Sequence, residues 1–306
     1  MKNLVFIMVG FLIGNLSGLS AQKPFYESYD VTPDSVFMTW AEGPAVDTDG
    51  VLYAVNYGQK GTIGLVKPDG THELFVNLPE GSVGNGIRFW KNNTLLVADY
   101  TNHNILQINI PEKTISVFAH NDQMNQPNDL AITSEGVIYA SDPDWENSTG
   151  NLWMIDKDGN FTLLESGMGT TNGVEVSPDE KHLYVNESNQ RNVWVYDINE
   201  DGTVANKRLL KKFEDYGMDG MRCDIEGNLY VTRMSKGTVA VLSPEGDLIR
   251  EVVLKGDKPT NVAFGGEDGK TVYVTVADRG AIEAFRTEIP GRSISLMKLW
   301  NGVEDR

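Results

Sequence analysis

The chain is poor in the residues that build soft-metal and redox centres. It has one cysteine, Cys223, and four histidines, His72, His103, His120 and His182. A lone thiol excludes an intramolecular disulfide, a CxxC redox pair and a thiolate zinc site. The histidines show no HExxH or other close ligand spacing. Basic residues are also scarce: 26 Lys and Arg stand against 43 Asp and Glu, a formal net charge of −17. A protein that grips a phosphate backbone carries a basic face, so nucleic acid is excluded as a partner class. Beyond the N-terminus there is no long apolar run that could cross a membrane, no Pro-rich or Ser-rich linker and no sustained helical periodicity. Carboxylates and amides are abundant instead, and these donors suit hard cations. With 306 residues, 40% hydrophobic and 23% charged, the chain is long and apolar enough for one large packed domain.

The N-terminus has its own pattern. Lys2 precedes an apolar run, Leu4 to Ile13, and small residues Ser17, Gly18, Ser20 and Ala21 follow. This order is that of a secretory signal peptide over residues 1–21, with cleavage expected after Ala21. The mature protein is then expected to be periplasmic or secreted, soluble and monomeric, with no membrane contact after cleavage. Residues 22–306 read as a single domain.

That domain is organised by a repeat. A polar residue, usually followed by Gly, opens an alternating apolar strand. A turn comes about eight residues on, and a second strand of the Leu-Tyr-Val type follows. The copies begin Glu42-Gly43-Pro44, Asn85-Gly86-Ile87, Asn128-Asp129-Leu130, Asn172-Gly173-Val174, Asp219-Gly220-Met221 and Asn261-Val262-Ala263, with steps of 43, 43, 44, 47 and 42 residues. Asp-Gly and Glu-Gly hairpin signals, such as Asp69-Gly70, Asp158-Gly159 and Glu245-Gly246, mark two further strands in several copies. Six such units predict an all-β, six-bladed β-propeller. Val36-Phe37-Met38 and Ile294-Ser295-Leu296-Met297 are expected to share one blade and close the ring. Tyr53, Tyr139, Tyr184, Tyr230 and Tyr273 recur in phase and read as packing between blades, and Cys223 as a small buried group.

In a propeller the innermost strands face a central channel, so a position repeated in every copy forms a ring around it. Here the ring is Glu42, Asn85, Asn128, Asn172, Asp219 and Asn261. Each carries a side-chain oxygen. Asn-Gly and Asp-Gly are also turn formers, but the hairpin turns of each repeat fall elsewhere. The ring therefore predicts a central metal site, with Glu42 and Asp219 balancing one divalent cation. Ca2+ is the first expectation, Zn2+ or Mg2+ the alternatives. Loops after the second strands should rim the same mouth. They include Asp99-Tyr100, Asp142 to Glu146, Glu187-Ser188 and Arg233. Trp145 could stack on a sugar ring and Asp142 could bond hydroxyls. Asn85 and Asn261 are expected to touch substrate or water.

At these residues the sequence resembles the SMP-30/gluconolactonase/regucalcin group of six-bladed propellers. The carrying motifs are Ala41-Glu42-Gly43-Pro44, Gln126-Pro127-Asn128-Asp129-Leu130, Thr171-Asn172-Gly173-Val174 running into Ser177-Pro178-Asp179-Glu180-Lys181, and Met218-Asp219-Gly220-Met221. They recur in order at blade spacing between Glu42 and Val276. The resemblance implies a calcium-dependent lactonase. Glu42, Asn172 and Asp219 match the group's metal ligands. Asn128 matches a residue that binds metal in some relatives and substrate or water in others. Asp219 matches the residue assigned proton transfer, and Asp129 an extra ligand of the paraoxonase-like branch only. Regucalcin-type sequences carry Arg where Gln126 stands here, a departure that bears on sugar-acid specificity. The function expected is ring opening of a sugar-derived lactone by an exported hydrolase. The alternatives are a propeller that binds a ligand or protein without catalysis, and a hydrolase of other esters or phosphotriesters in the same cage.

Overall fold

The computed structural model describes residues 23–91, 93–300 and 302. The expected signal peptide, with its cleavage after Ala21, lies outside the described residues. Six four-stranded antiparallel sheets follow one another along the chain. Their inner strands are Phe37–Val46, Gly84–Trp90, Leu130–Ile132, Thr171–Val176, Met221–Cys223 and Pro259–Gly265. Each inner strand contacts the next, and the sixth contacts the first. The molecule is a six-bladed β-propeller.

The blades hold together by burying apolar side chains between sheets. Tyr53, Ile63, Leu65 and Phe75 of blade one pack on Ile87, Leu95, Val97 and Leu106 of blade two. The in-phase tyrosines take part as expected: Tyr53 meets Phe75 and Phe89 edge-on at 5.0 and 5.8 Å, and Tyr230 meets Phe264 at 4.9 Å. Such tilted aromatic pairs add to simple area burial. Cys223 is buried among the apolar residues of blade five.

Ring closure differs from the sequence expectation. Val36-Phe37-Met38 leads into the inner strand of blade one. The fourth strand of blade six is Tyr29–Asp30, which pairs with Ala281–Arg286 through Tyr29↔Ala284 and Asp30↔Glu283. Arg279 and Lys255 clamp it through Asp30, at 2.7 and 2.6 Å. Ile294 to Met297 lies in a helix, Arg292–Trp300, so the expected absence of helical periodicity is also corrected. Over four residues Ile-Ser-Leu-Met alternates like a strand. The longer spacing Ile294, Met297, Trp300 is helical, and short runs cannot separate the two periods. This helix closes the channel at the end toward which the inner strands run. Leu296 and Met297 are buried, Arg292 donates to Ile132 O and Glu180, and the Trp300 indole donates to Ser134 O.

Candidate functional site

The repeated polar residues sit where the inner strands begin, at the end of the channel opposite the helix. In four of the six a glycine follows: Gly43, Gly86, Gly173 and Gly220. A Cβ built on Gly43 would lie 1.9 Å from Asn85 O, and one on Gly220 would lie 2.0 Å from Asn261 Cγ. Neighbouring inner strands thus approach at distances only glycine permits. In the four copies that have it, the polar-Gly pair is a packing requirement that also sets Glu42, Asn85, Asn172 and Asp219 at the channel mouth.

The mouth opens into a cavity of about 600 Å3. Glu42, Asn85, Asn128, Asn172 and Asp219 all line it, so five of the six ring members meet in one space. Glu42 and Asp219 are close enough to shift each other's carboxyl, and Asn172 lies beside Asp219. Both carboxylates are buried. Burial raises the Glu42 carboxyl above its ordinary range, and the charge on Asp129 adds to this, against a bond that Gly43 N–H donates to Glu42 Oε2 at 2.7 Å. Burial likewise raises Asp219, and the neighbouring Glu42 charge raises it further. Two buried acids forced together hold a proton in the absence of a cation.

The amides are oriented by Ser188, expected from sequence only as part of the rim, and by Asn186, which no sequence pattern marks. Ser188 Oγ accepts from Asn172 Nδ2 at 3.0 Å and donates to Met218 O at 2.5 Å. Asn186 Nδ2 donates to Asp219 O at 2.6 Å, which fixes the backbone beneath the acid. Asn172 Oδ1 and Asn128 Oδ1 are then left buried without a hydrogen-bond partner among the described residues. An unsatisfied buried carbonyl oxygen is costly and calls for an explanation. Two such oxygens beside two mutually repelling carboxylates are hard, convergent donors, and this set fits a hard divalent cation, which takes roughly six to eight oxygens. Among the described residues no three His, Cys, Asp or Glu gather. Half of the protein donors here are amides, Asn128 and Asn172.

Asp129 is not in this layer. It is fully buried one level deeper, between Arg88 Nη1 at 3.1 Å and Arg222 Nη1 at 3.2 Å. Burial alone would raise its carboxyl, but the two guanidiniums hold it below the usual range. Glu175 continues the stack, 3.9 Å from Arg222 and 3.5 Å from Arg292. Charge therefore alternates down the channel from the mouth to the helix. The signal was present in the repeats: Arg88, Glu175 and Arg222 occupy the position three residues after the ring member, where Ala45, Ala131 and Phe264 stand in the other copies.

Two expected substrate contacts are corrected. Asp142 is buried and does not line the cavity. It accepts from the N–H groups of Asn125 and Gln126 at 2.7 and 2.6 Å, from Trp153 Nε1 at 2.9 Å and from Asn151 Nδ2 at 3.1 Å, so it ties its own blade to the preceding loop. Asn261 is buried behind the wall. Its Oδ1 accepts from Val262 N at 2.9 Å, and its side chain lies near enough to Glu42 to lower that carboxyl. Asp99, Glu187 and Arg233 end the second strands of their blades, are likewise buried, and bond Ser82, Gly169 and Asp215 in the segments that lead into those blades. Trp145 and Tyr100 do line the cavity.

The profile of the SMP-30/gluconolactonase/LRE-like region matches residues 40–278. A gluconolactonase of Zymomonas mobilis is 25% identical over 273 residues, covering 78% of this chain and 76% of the relative. A pentonolactonase of Haloferax volcanii is 31% identical over 159 residues, 51% of this chain and 55% of the relative, so that alignment spans about half the length of each. Among solved structures, a calcium-binding protein, regucalcin, of Agrobacterium tumefaciens superposes with a TM-score of 0.76 at 19% identity, over 88% of this chain and 96% of that one.

Proposed function

The chain belongs to the SMP-30/gluconolactonase/LRE-like family, and from that premise we propose that it is a metal-dependent hydrolase that opens a sugar-derived lactone. The observation that carries the reading is the convergence of Glu42, Asp219, Asn172 and Asn128 on the cavity floor, with two amide oxygens unsatisfied and two acids in contact. A scaffold needs none of these features. The similarity to a gluconolactonase and a pentonolactonase supports a cyclic ester as substrate.

Glu42, Asn128, Asn172 and Asp219 would hold the cation, Ca2+ first among candidates because the donors are all oxygen. A divalent ion held there supplies Lewis-acid polarisation of a carbonyl and makes nearby water more acidic. The remaining work belongs to the chain. The carboxylate of Asp219 takes the proton of the attacking water as the new C–O bond forms at the carbonyl carbon. It returns that proton to the ring oxygen as the ring C–O bond breaks. The product is an open hydroxy acid. Glu42 supplies fixed negative charge beside Asp219. Ser188 and Asn186 act through Asn172 and the Asp219 backbone and are positioning residues. Asn85 donates to Asn128 O at 3.2 Å and lines the cavity.

The proposal extends to location. The order of basic, apolar and small residues in 2–21 supports export to the periplasm or beyond. Recovery of mature chain beginning at Gln22 from the exported fraction would bear this out, and uncleaved chain in the cytoplasm would contradict it.

The test of activity is a panel of aldonolactones followed by pH indicator, with Ca2+, Zn2+ or Mg2+ and after chelation. Turnover lost on chelation and restored by one cation supports the reading. Turnover unaffected by chelation removes the cation from it. Absence of turnover across the panel, with calcium still bound, moves the protein to the ligand-binding class.

A further inference from the structure

The cavity above the cation cage is too large for the single lactone ring that the cage would process, and its outer wall has a specific chemistry. A volume of about 600 Å3 lies within the range of ~300–1,000 Å3 that encloses drug-sized ligands, well beyond what one six-carbon lactone fills. The outer wall carries three solvent-facing aromatic residues from separate parts of the ring. They are Trp40 at the start of blade one, Trp145 after the second strand of blade three, and Tyr216 in the loop entering blade five. Their exposures are 57%, 38% and 50%. None of the three pairs with another aromatic ring among the described residues.

The backbone that carries each ring is fixed by its surroundings. Trp40 has a φ of 71°, unfavourable for a bulky side chain. The side chain of Asn56, itself at a φ of 65°, donates to Trp40 O at 2.9 Å and secures that conformation. Tyr216 also has a positive φ, 41°. Its loop is anchored by Arg233, which is 1% exposed, stacks 3.7 Å over Phe213 and donates to Asp215 Oδ1 at 2.7 Å. Trp145 sits in a turn pinned by Asn147, whose N–H and Nδ2 donate to Asp144 at 3.0 and 2.7 Å. Exposed indole and phenol rings carried on fixed backbone around one opening form a platform that leaves less ordering to be done when a ligand arrives.

The polar groups between the rings decide what the platform takes. Asn56, Asn85, Ser188, Asn189 and Ser235 line the same space, against only Val83, Met218 and Met234 as apolar aliphatic lining. Flat aromatic faces interspersed with amides and hydroxyls match a pyranose, which has apolar C–H faces and a hydroxyl rim. An acyl chain would call for an aliphatic wall. We propose that the outer cavity is a subsite for a second sugar ring, and that the preferred substrate is a glycosylated aldonolactone. This inference rests on the lactonase reading for its catalytic arm, so its test has a second arm that does not use turnover.

In the first arm, kcat/KM is measured for cellobiono-1,5-lactone and glucono-1,5-lactone with wild type, Trp40→Ala and Tyr216→Ala. The wild-type ratio should favour the disaccharide lactone, and each variant should lower that ratio roughly tenfold or more. In the second arm, cellobionic acid and gluconic acid are titrated into the calcium-loaded protein while tryptophan fluorescence is followed. The disaccharide acid should bind about tenfold more tightly, and the difference should vanish in Trp40→Ala. If no lactone is turned over but the second arm succeeds, the lactonase reading fails and the subsite stands. Equal affinity for the two acids, or a ratio unmoved in both variants, overturns the subsite. A preference for acyl-substituted lactones over glycosylated ones overturns it as well.

Discussion

Glu42→Gln should stabilise the protein when it is free of metal and at the same time abolish its response to calcium. Glu42 and Asp219 are buried in contact, and the Glu42 carboxyl is raised from its ordinary 4.5 to about 7. The folded state therefore holds a proton more tightly than the unfolded state. The resulting stability is complete below the ordinary carboxylate range and is lost as pH climbs through about 7. At ~1.4 kcal/mol for each tenfold in proton affinity, holding Glu42 ionised at pH 8 costs about 3 kcal/mol. Glutamine removes that cost, and its amide oxygen can still accept the Gly43 N–H. At ~2–4 °C per kcal/mol for domains of about 150–250 residues, and less for a longer one, the melting temperature at pH 8 in chelator should rise by several degrees. The assay is scanning calorimetry of both proteins in chelator and in excess calcium. Wild type should gain stability from calcium, more at pH 8 than at pH 5, because the cation displaces the shared proton. The variant should gain little at either pH. A metal-free Glu42→Gln that melts below wild type at pH 8, or one that responds to calcium as wild type does, would refute the reasoning.

Other consequences lie deeper in the channel and at its far end. Asp129→Asn leaves the buried Arg88 and Arg222 guanidiniums facing each other without their anion. Urea unfolding should show a loss of about 3–5 kcal/mol, and a change under 1 kcal/mol would be incompatible with the described stack. Asn172→Ala removes one unsatisfied oxygen from the cage, so calcium affinity by calorimetric titration should fall about tenfold or more, with the melting temperature in chelator little changed. Ser188→Ala frees the Asn172 amide and should weaken calcium binding less than Asn172→Ala does; an equal or greater loss would make Ser188 more than a positioning residue. Trp300→Phe deletes the indole bond to Ser134 O and should cost about 1 kcal/mol without affecting calcium binding.

The blade count, the ring of polar residues and the interblade tyrosines were legible because each is periodic in sequence. Periodicity also exposed the site, since positions 42, 85, 128, 172 and 219 must share a channel mouth if the repeat is a blade. What escaped was aperiodic or shared a pattern with something else. Asp142 carries the same donors as a substrate-binding acid, and only the fold reveals that backbone and indole N–H groups already occupy it. Tyr29–Asp30 is a two-residue strand, too short for any alternation to register. The helix Arg292–Trp300 was hidden by a local alternation that its longer spacing contradicts. Ser188 and Asn186 act by hydrogen bonds across the inner face of blade four and toward blade five, a relation with no sequence signature. The buried arginines did leave a mark: charge at a repeat position that is otherwise apolar requires a partner of opposite sign at similar depth.

The most direct measurement is the rate of ring opening of D-glucono-1,5-lactone by wild type and Asp219→Asn, side by side in calcium, with spontaneous hydrolysis subtracted. Wild type should turn over, and the variant should fall by roughly 10²–10⁴-fold while retaining the wild-type circular dichroism spectrum. A folded Asp219→Asn protein that opens the lactone at near the wild-type rate would contradict the assignment of hydrolysis to this site.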